Sequence, residues 1–254
     1  MKRKLNNMII ILTILILSSG CAPTFNDFQR ADTVGKNNIS ITPFISTTSS
    51  EDFANQTMND EQSMDDEDIM MLPIDEDIQD SKGFKFAYGL TDKIDFNIKY
   101  ESVEAALVDG SVLSIGLKTM LMNFGNNRYS LNLLFSSANQ NISALDTDGS
   151  EDNDIKYIEP TILGSSKINN LFDFNYSFKI LSQIDGNGCN GFFDCPESET
   201  GYASNFSIAY DIPTLEFLTF IAEYGILNLE ESTYNHIGYA ISFDYSKFKK
   251  SKNK

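Results

Sequence analysis

Apolar and polar residues alternate along most of this chain, and the alternation has a period of two. Phe84, Phe86, Tyr88 and Leu90 share one face of a segment whose other face carries Lys85, Ala87 and Gly89. From Ile94 to Glu101, Ile94, Phe96, Ile98 and Tyr100 oppose Asp95, Asn97, Lys99 and Glu101. The same pattern recurs over 113–121, 129–136, 172–181, 202–210 and 237–245. Strict alternation over this length predicts strands with two different faces. Three blurred segments, 38–46, 155–164 and 215–226, bring the expected total to about ten strands. Pro43 and Pro160 weaken two of these, because proline donates nothing to a ladder. No helical stripe appears after residue 21.

Alternation does not say which face is inside, but the connections do. Going from strand to strand, they read long (47–82), tight (91–92), medium (102–110), short (123–127), long (138–154), short (165–170), long (183–200), tight (213–214) and medium (227–235). Bacterial membrane barrels put long loops at the outer end and short turns at the periplasmic end. The apolar faces carry no charge, and tyrosines such as Tyr100, Tyr129, Tyr202, Tyr210 and Tyr245 fall near strand ends, as interfacial girdles require. The fold class expected is all-β: an antiparallel up-and-down transmembrane β-barrel of about ten strands over 38–248. Its narrow interior would be filled by small residues and by charges including Lys85, Asp95, Lys99, Asp173 and Lys179. A barrel with its apolar face inward would instead be a soluble periplasmic lipoprotein carrying an apolar ligand.

The first twenty residues have the parts of an export signal. Lys2, Arg3 and Lys4 precede an apolar run from Met8 to Leu17, then Ser18, Ser19 and Gly20. The run is too short to span a bilayer as a helix. Leu17-Ser-Ser-Gly-Cys21 resembles the lipobox of bacterial lipoproteins, in which the cysteine receives lipid and becomes the mature N-terminus. That resemblance implies a signal peptide over 1–20, lipidation at Cys21 and a periplasmic tether over 21–37. The chain has three cysteines. With Cys21 assigned to lipid, Cys189 and Cys195 remain, in a compartment that permits a disulfide.

Near the C-terminus, His236-Ile-Gly-Tyr-Ala-Ile-Ser-Phe243 resembles the β-signal of outer-membrane barrel proteins, carried by His236, Gly238, Ile241 and Phe243. It implies recognition by the barrel assembly machinery. Phe248 is followed by a basic tail, 249–254, where many members of that group end on the aromatic residue.

Charge adds one exclusion and one candidate. Loss of the three signal-peptide cations takes the formal net charge from −17 to −20, which excludes nucleic-acid binding of the usual basic kind. The acid is concentrated in the links 51–82, 138–154 and 183–200, which suits solvated loops able to meet cations or a surface partner. Asp146, Asp148, Glu151 and Asp152 cluster around Gly149 and are candidates for loosely held calcium or magnesium, although the spacing of an EF-hand is absent. No other cofactor is implied, and no catalysis. His236 is the sole histidine and no nucleophile motif accompanies it. The function expected is structural or surface-interacting, with outer-membrane lipid as the surroundings. The alternative is a narrow channel for small solutes or cations.

Overall fold

In the computed structural model, residues 26–50, 78–104, 108–142, 152–186, 200–229 and 232–251 are described. Ten antiparallel strands close into one barrel in the order β1-β10-β9-β8-β7-β6-β5-β4-β3-β2. They are β1 (Ile39–Ser50), β2 (Ile78–Gly89), β3 (Ile94–Glu104), β4 (Val108–Phe124), β5 (Asn127–Ile142), β6 (Asp152–Lys167), β7 (Phe172–Gly186), β8 (Thr200–Asp211), β9 (Leu218–Leu229) and β10 (Ser232–Asp244). Every strand pairs with its sequence neighbours, and β1 with β10 completes the ring. Closure removes the unpaired edges that a lipid phase does not tolerate.

The radial sense is that of a membrane barrel. Asp173 is 4 % exposed, whereas Phe174 is 38 % and Ile241 48 % exposed. Asp95 is buried and Tyr100 is exposed on the same strand. Apolar side chains thus form an outer belt around a polar interior, and the soluble carrier with an apolar lumen is excluded. Among the described residues no helix is long and apolar enough to cross a membrane, so any crossing is made by strands.

The two prolines are accommodated by local loss of pairing. Pro43 pairs with Phe84 on β2, but the register with β10 lapses between Ile41 and Phe44. Pro160 pairs with Leu133 on β5, and the register with β7 lapses between Ile158 and Thr161. A residue without an N–H can serve one neighbour only through its carbonyl, so the ladder opens beside it.

The short connections, at 90–93, 125–126, 168–171 and 212–217, lie at one end of the barrel. The strand ends Ser50, Ile78, Ile142, Asp152, Gly186 and Thr200 lie at the other. The two expected medium links are shorter than the sequence suggested, because β3, β4, β9 and β10 extend further and leave only 105–107 and 230–231 between them.

The C-terminal region differs from expectation. β10 stops at Asp244, and Tyr245–Ser251 forms a helix, α1. Asp244 caps it: its Oδ1 accepts from the Ser246 and Lys247 amides at 2.8 and 3.2 Å. Phe248 then packs edge-on against Phe217, with ring centroids 5.1 Å apart, and beside Phe243. The basic tail therefore begins within this helix.

Candidate functional site

The barrel interior is occupied by the chain's own N-terminal segment. Its course follows from its contacts. Just before β1, the Asn37 amide donates to Gly89 O at 2.8 Å and the Val34 amide donates to both Asp95 oxygens at 3.1 Å, all at the short-turn end. Gly35, at φ +83°, and Asn37, at φ +59°, provide the left-handed turns that reverse the chain there. Ahead of them the chain lies deep in the lumen. Asn26, Asp27, Phe28 and Ala31 are buried. The tether expected over 21–37 is thus corrected for its described part: residues 26–34 lie within the barrel rather than below it.

A polar interior alone would hydrate, so the fit of this segment depends on its charges. Arg30 meets Asp211 at 2.6 Å and Asp173 at 3.4 Å, and Asp32 meets Arg128 at 2.6 Å. Higher in the lumen, Lys179, 0 % exposed, lies between Asp27 Oδ1 at 3.2 Å and Glu159 Oε2 at 3.3 Å. Asp27 also accepts from Asn205 at 2.8 Å and from Ser177. Burial of such charges is tolerable only when each is paired and hydrogen-bonded.

Glu223 is the second anchor. Its two oxygens accept from the successive amides of Asp27 and Phe28, each at 2.8 Å, and it meets His236 Nε2 at 3.2 Å. Phe28 has φ +39°, a conformation that costs a bulky residue energy. That turn aims the two N–H groups at one carboxylate, and the ring stacks on Phe44 at 5.1 Å.

Lys85 and Lys99 stand directly opposite each other on β2 and β3. Like charges in that position repel. The segment supplies acceptors between them: Asn26 O accepts from Lys99 at 2.8 Å, and Asp27 O from Lys85 at 3.4 Å. Lys99 also meets Glu101 at 2.9 Å, and Lys118 meets Asp95 at 3.3 Å. A cavity of about 280 Å³ remains towards the short-turn end, bordered by Gln29, Lys85, Lys118 and Asp244.

The expected site residues divide into three groups. His236 points inward and joins the Glu223 anchor, while Ile241 faces outward and Phe243 packs on Phe217. Gly238 faces the lumen, where a Cβ would lie 2.3 Å from the Phe28 ring. Lys85, Asp95, Lys99, Asp173 and Lys179 are interior, as the alternation implied. Cys21, Cys189, Cys195, Asp146, Asp148 and Glu151 lie outside the described residues, and of Asp152 only its place at the start of β6 is described. Among the described residues no cluster of candidate ligands could hold a metal ion.

The segment itself is what sequence reasoning missed. Residues 26–34 have no periodicity, so they read as a linker. The signal was indirect: the inward face of each strand was readable, and with Leu90 bonded to Ile94 across the turn Lys85 stands against Lys99, a pair that requires an acceptor between them.

No family model matches the chain, and no curated protein matches it. Solved structures share the barrel. The N-terminal β-barrel domain of Pseudomonas aeruginosa OprF is 13% identical at a TM-score of 0.38, with 82% of this chain and 99% of that one covered. The outer membrane protease OmpT from Escherichia coli is 10% identical at 0.42, covering 82% and 97%. The β domain of the Bordetella autotransporter BrkA is 9% identical at 0.44, covering 80% and 98%. The class is defined by the geometry: a closed ten-stranded antiparallel barrel with an apolar belt outside and a polar interior.

Proposed function

We propose that this chain is a sealed outer-membrane barrel with a structural or surface-interaction role and no catalytic one. In this reading residues 1–20 are removed on export, Cys21 is acylated, and the C-terminal strand is read by the barrel assembly machinery through His236, Gly238, Ile241 and Phe243. The acidic links face the outside, where they meet cations or a surface partner. Cys189 and Cys195 pair in one of them.

One observation carries the reading: the lumen holds residues 26–34, bound on several sides by ion pairs and by amide–carboxylate hydrogen bonds. Ten strands enclose a narrow space, whereas an open aqueous pore is a property of about sixteen. A segment fixed in that space leaves little room for solute flow, so the loops are where interaction with other molecules takes place.

Planar-bilayer recording tests it. The intact protein should show no steady conductance, and a variant lacking residues 26–34 should show discrete channel steps. Stable steps of equal size from both would replace the sealed barrel with a channel.

A further inference from the structure

The described part of the N-terminal segment has a direction along the barrel axis, from Gly35 at the short-turn end to Asn26 deep in the lumen. We propose that the chain ahead of it leaves through the long-link mouth, so that Cys21 is presented at the outer face and its acyl chains anchor in the outer leaflet. This rests on the proposed orientation of the barrel and the proposed acylation of Cys21.

Between Gly35 and Asn26 the segment climbs. Asn26 Nδ2 donates to Ser46 and Glu101, each at 2.8 Å, and to Ser81 at 3.3 Å. On β2 and β3 the outward positions turn from apolar to polar in one row, and on β1 one row higher. Ile45 gives way to Thr47, Phe84 to Lys82 and Tyr100 to Ser102. Asn26 is therefore level with the upper border of the apolar belt, on the side of the long links.

Chain length then decides between the two leaflets. From Ser46 down to the start of β1 is about seven residues, which places the short-turn end ~18 Å below Asn26 for strands tilted ~40°. The five residues from Cys21 to Asn26 reach at most ~18 Å when fully extended. That entire length would be spent descending, past Phe28, Arg30 and Ala31 and the cavity beside them. Nothing would remain to round the barrel wall to the inner leaflet. The outer mouth needs no such descent.

Epitope insertion in living cells tests the placement. One tag goes between Pro23 and Thr24, one into the 143–151 link and one after Lys254, with folded protein selected by heat-modifiable migration. Antibody should bind the first two on intact cells and the third only after the outer membrane is permeabilised. An N-terminal tag that behaves like the C-terminal one, while the link tag is exposed, overturns the proposal and leaves the orientation standing. A hidden link tag overturns the orientation and the proposal together. Should the first insertion prevent folding, Thr24→Cys in a Cys189→Ser/Cys195→Ser background, probed with an impermeant maleimide, reads the same position. Labelling on intact cells supports the outer placement, and labelling only after permeabilisation overturns it. Mass spectrometry of the N-terminal peptide reads the anchor, and a peptide without acyl chains overturns the anchoring part.

Discussion

Lys179 shows how much one side chain decides in this interior. It is fully buried and shared by Asp27 and Glu159. Lys179→Met would remove one cation and leave the Asp27 and Glu159 carboxylates buried without it between them. Breaking a buried pair by deleting one partner costs about 3–5 kcal/mol. A lower midpoint in denaturant unfolding from lipid vesicles should follow, and Lys179→Met/Asp27→Asn should recover part of the loss, because one stranded charge is then gone. Equal stability of the single variant and the wild type would show that the pair is hydrated. The sequence revealed that Lys179 faces inward, because Phe178 and Ile180 beside it face lipid. It did not reveal the partner, since Asp27 lies 152 positions away on a segment with no pattern of its own.

Elements were legible where a period could be read. Seven strands follow from clear alternation, whereas β1, β6 and β9 were blurred, the first two by Pro43 and Pro160; inward and outward faces follow from which residues lipid accepts. α1 was not legible: one short helix whose aromatic contacts, Phe248 to Phe217 and Phe243, come from distant strands leaves too little periodicity. Gly238 was legible as part of a resemblance, but its packing role needed coordinates. The Phe28 ring occupies the space where its Cβ would be, so β10 and the lumen segment meet at van der Waals distance. Gly238→Val should therefore unseat the segment and loosen the barrel. A Cβ there would also lie 2.7 Å from Ser46 Cβ and 3.0 Å from Ile45 O, so Phe28→Ala should relieve only the ring's share, and the double variant should lose less than the sum of the two single losses. Additive losses in thermal melts would refute the contact.

At the scale of the whole molecule, the belt and the lumen follow opposite rules. Phe206 lies near mid-height on β8, between Tyr176 of β7 and Tyr224 of β9, and is exposed. Phe206→Lys places a charge among acyl chains and should cost about 2–4 kcal/mol at the bilayer midplane. Refolding titrations in vesicles measure this. In detergent, where the surroundings adapt around the ammonium, the loss should shrink. An equal effect in both would mean that the belt does not meet a bilayer.

Asp27 and Glu223 are joined although 196 positions separate them. The first is made among the earliest residues and the second among the last, so nearly the whole wall must exist before they can meet. Contacts this far apart in the chain bear the largest closure cost, so seating of the segment and closure of the β1–β10 seam are coupled to the late part of folding by topology as much as by affinity.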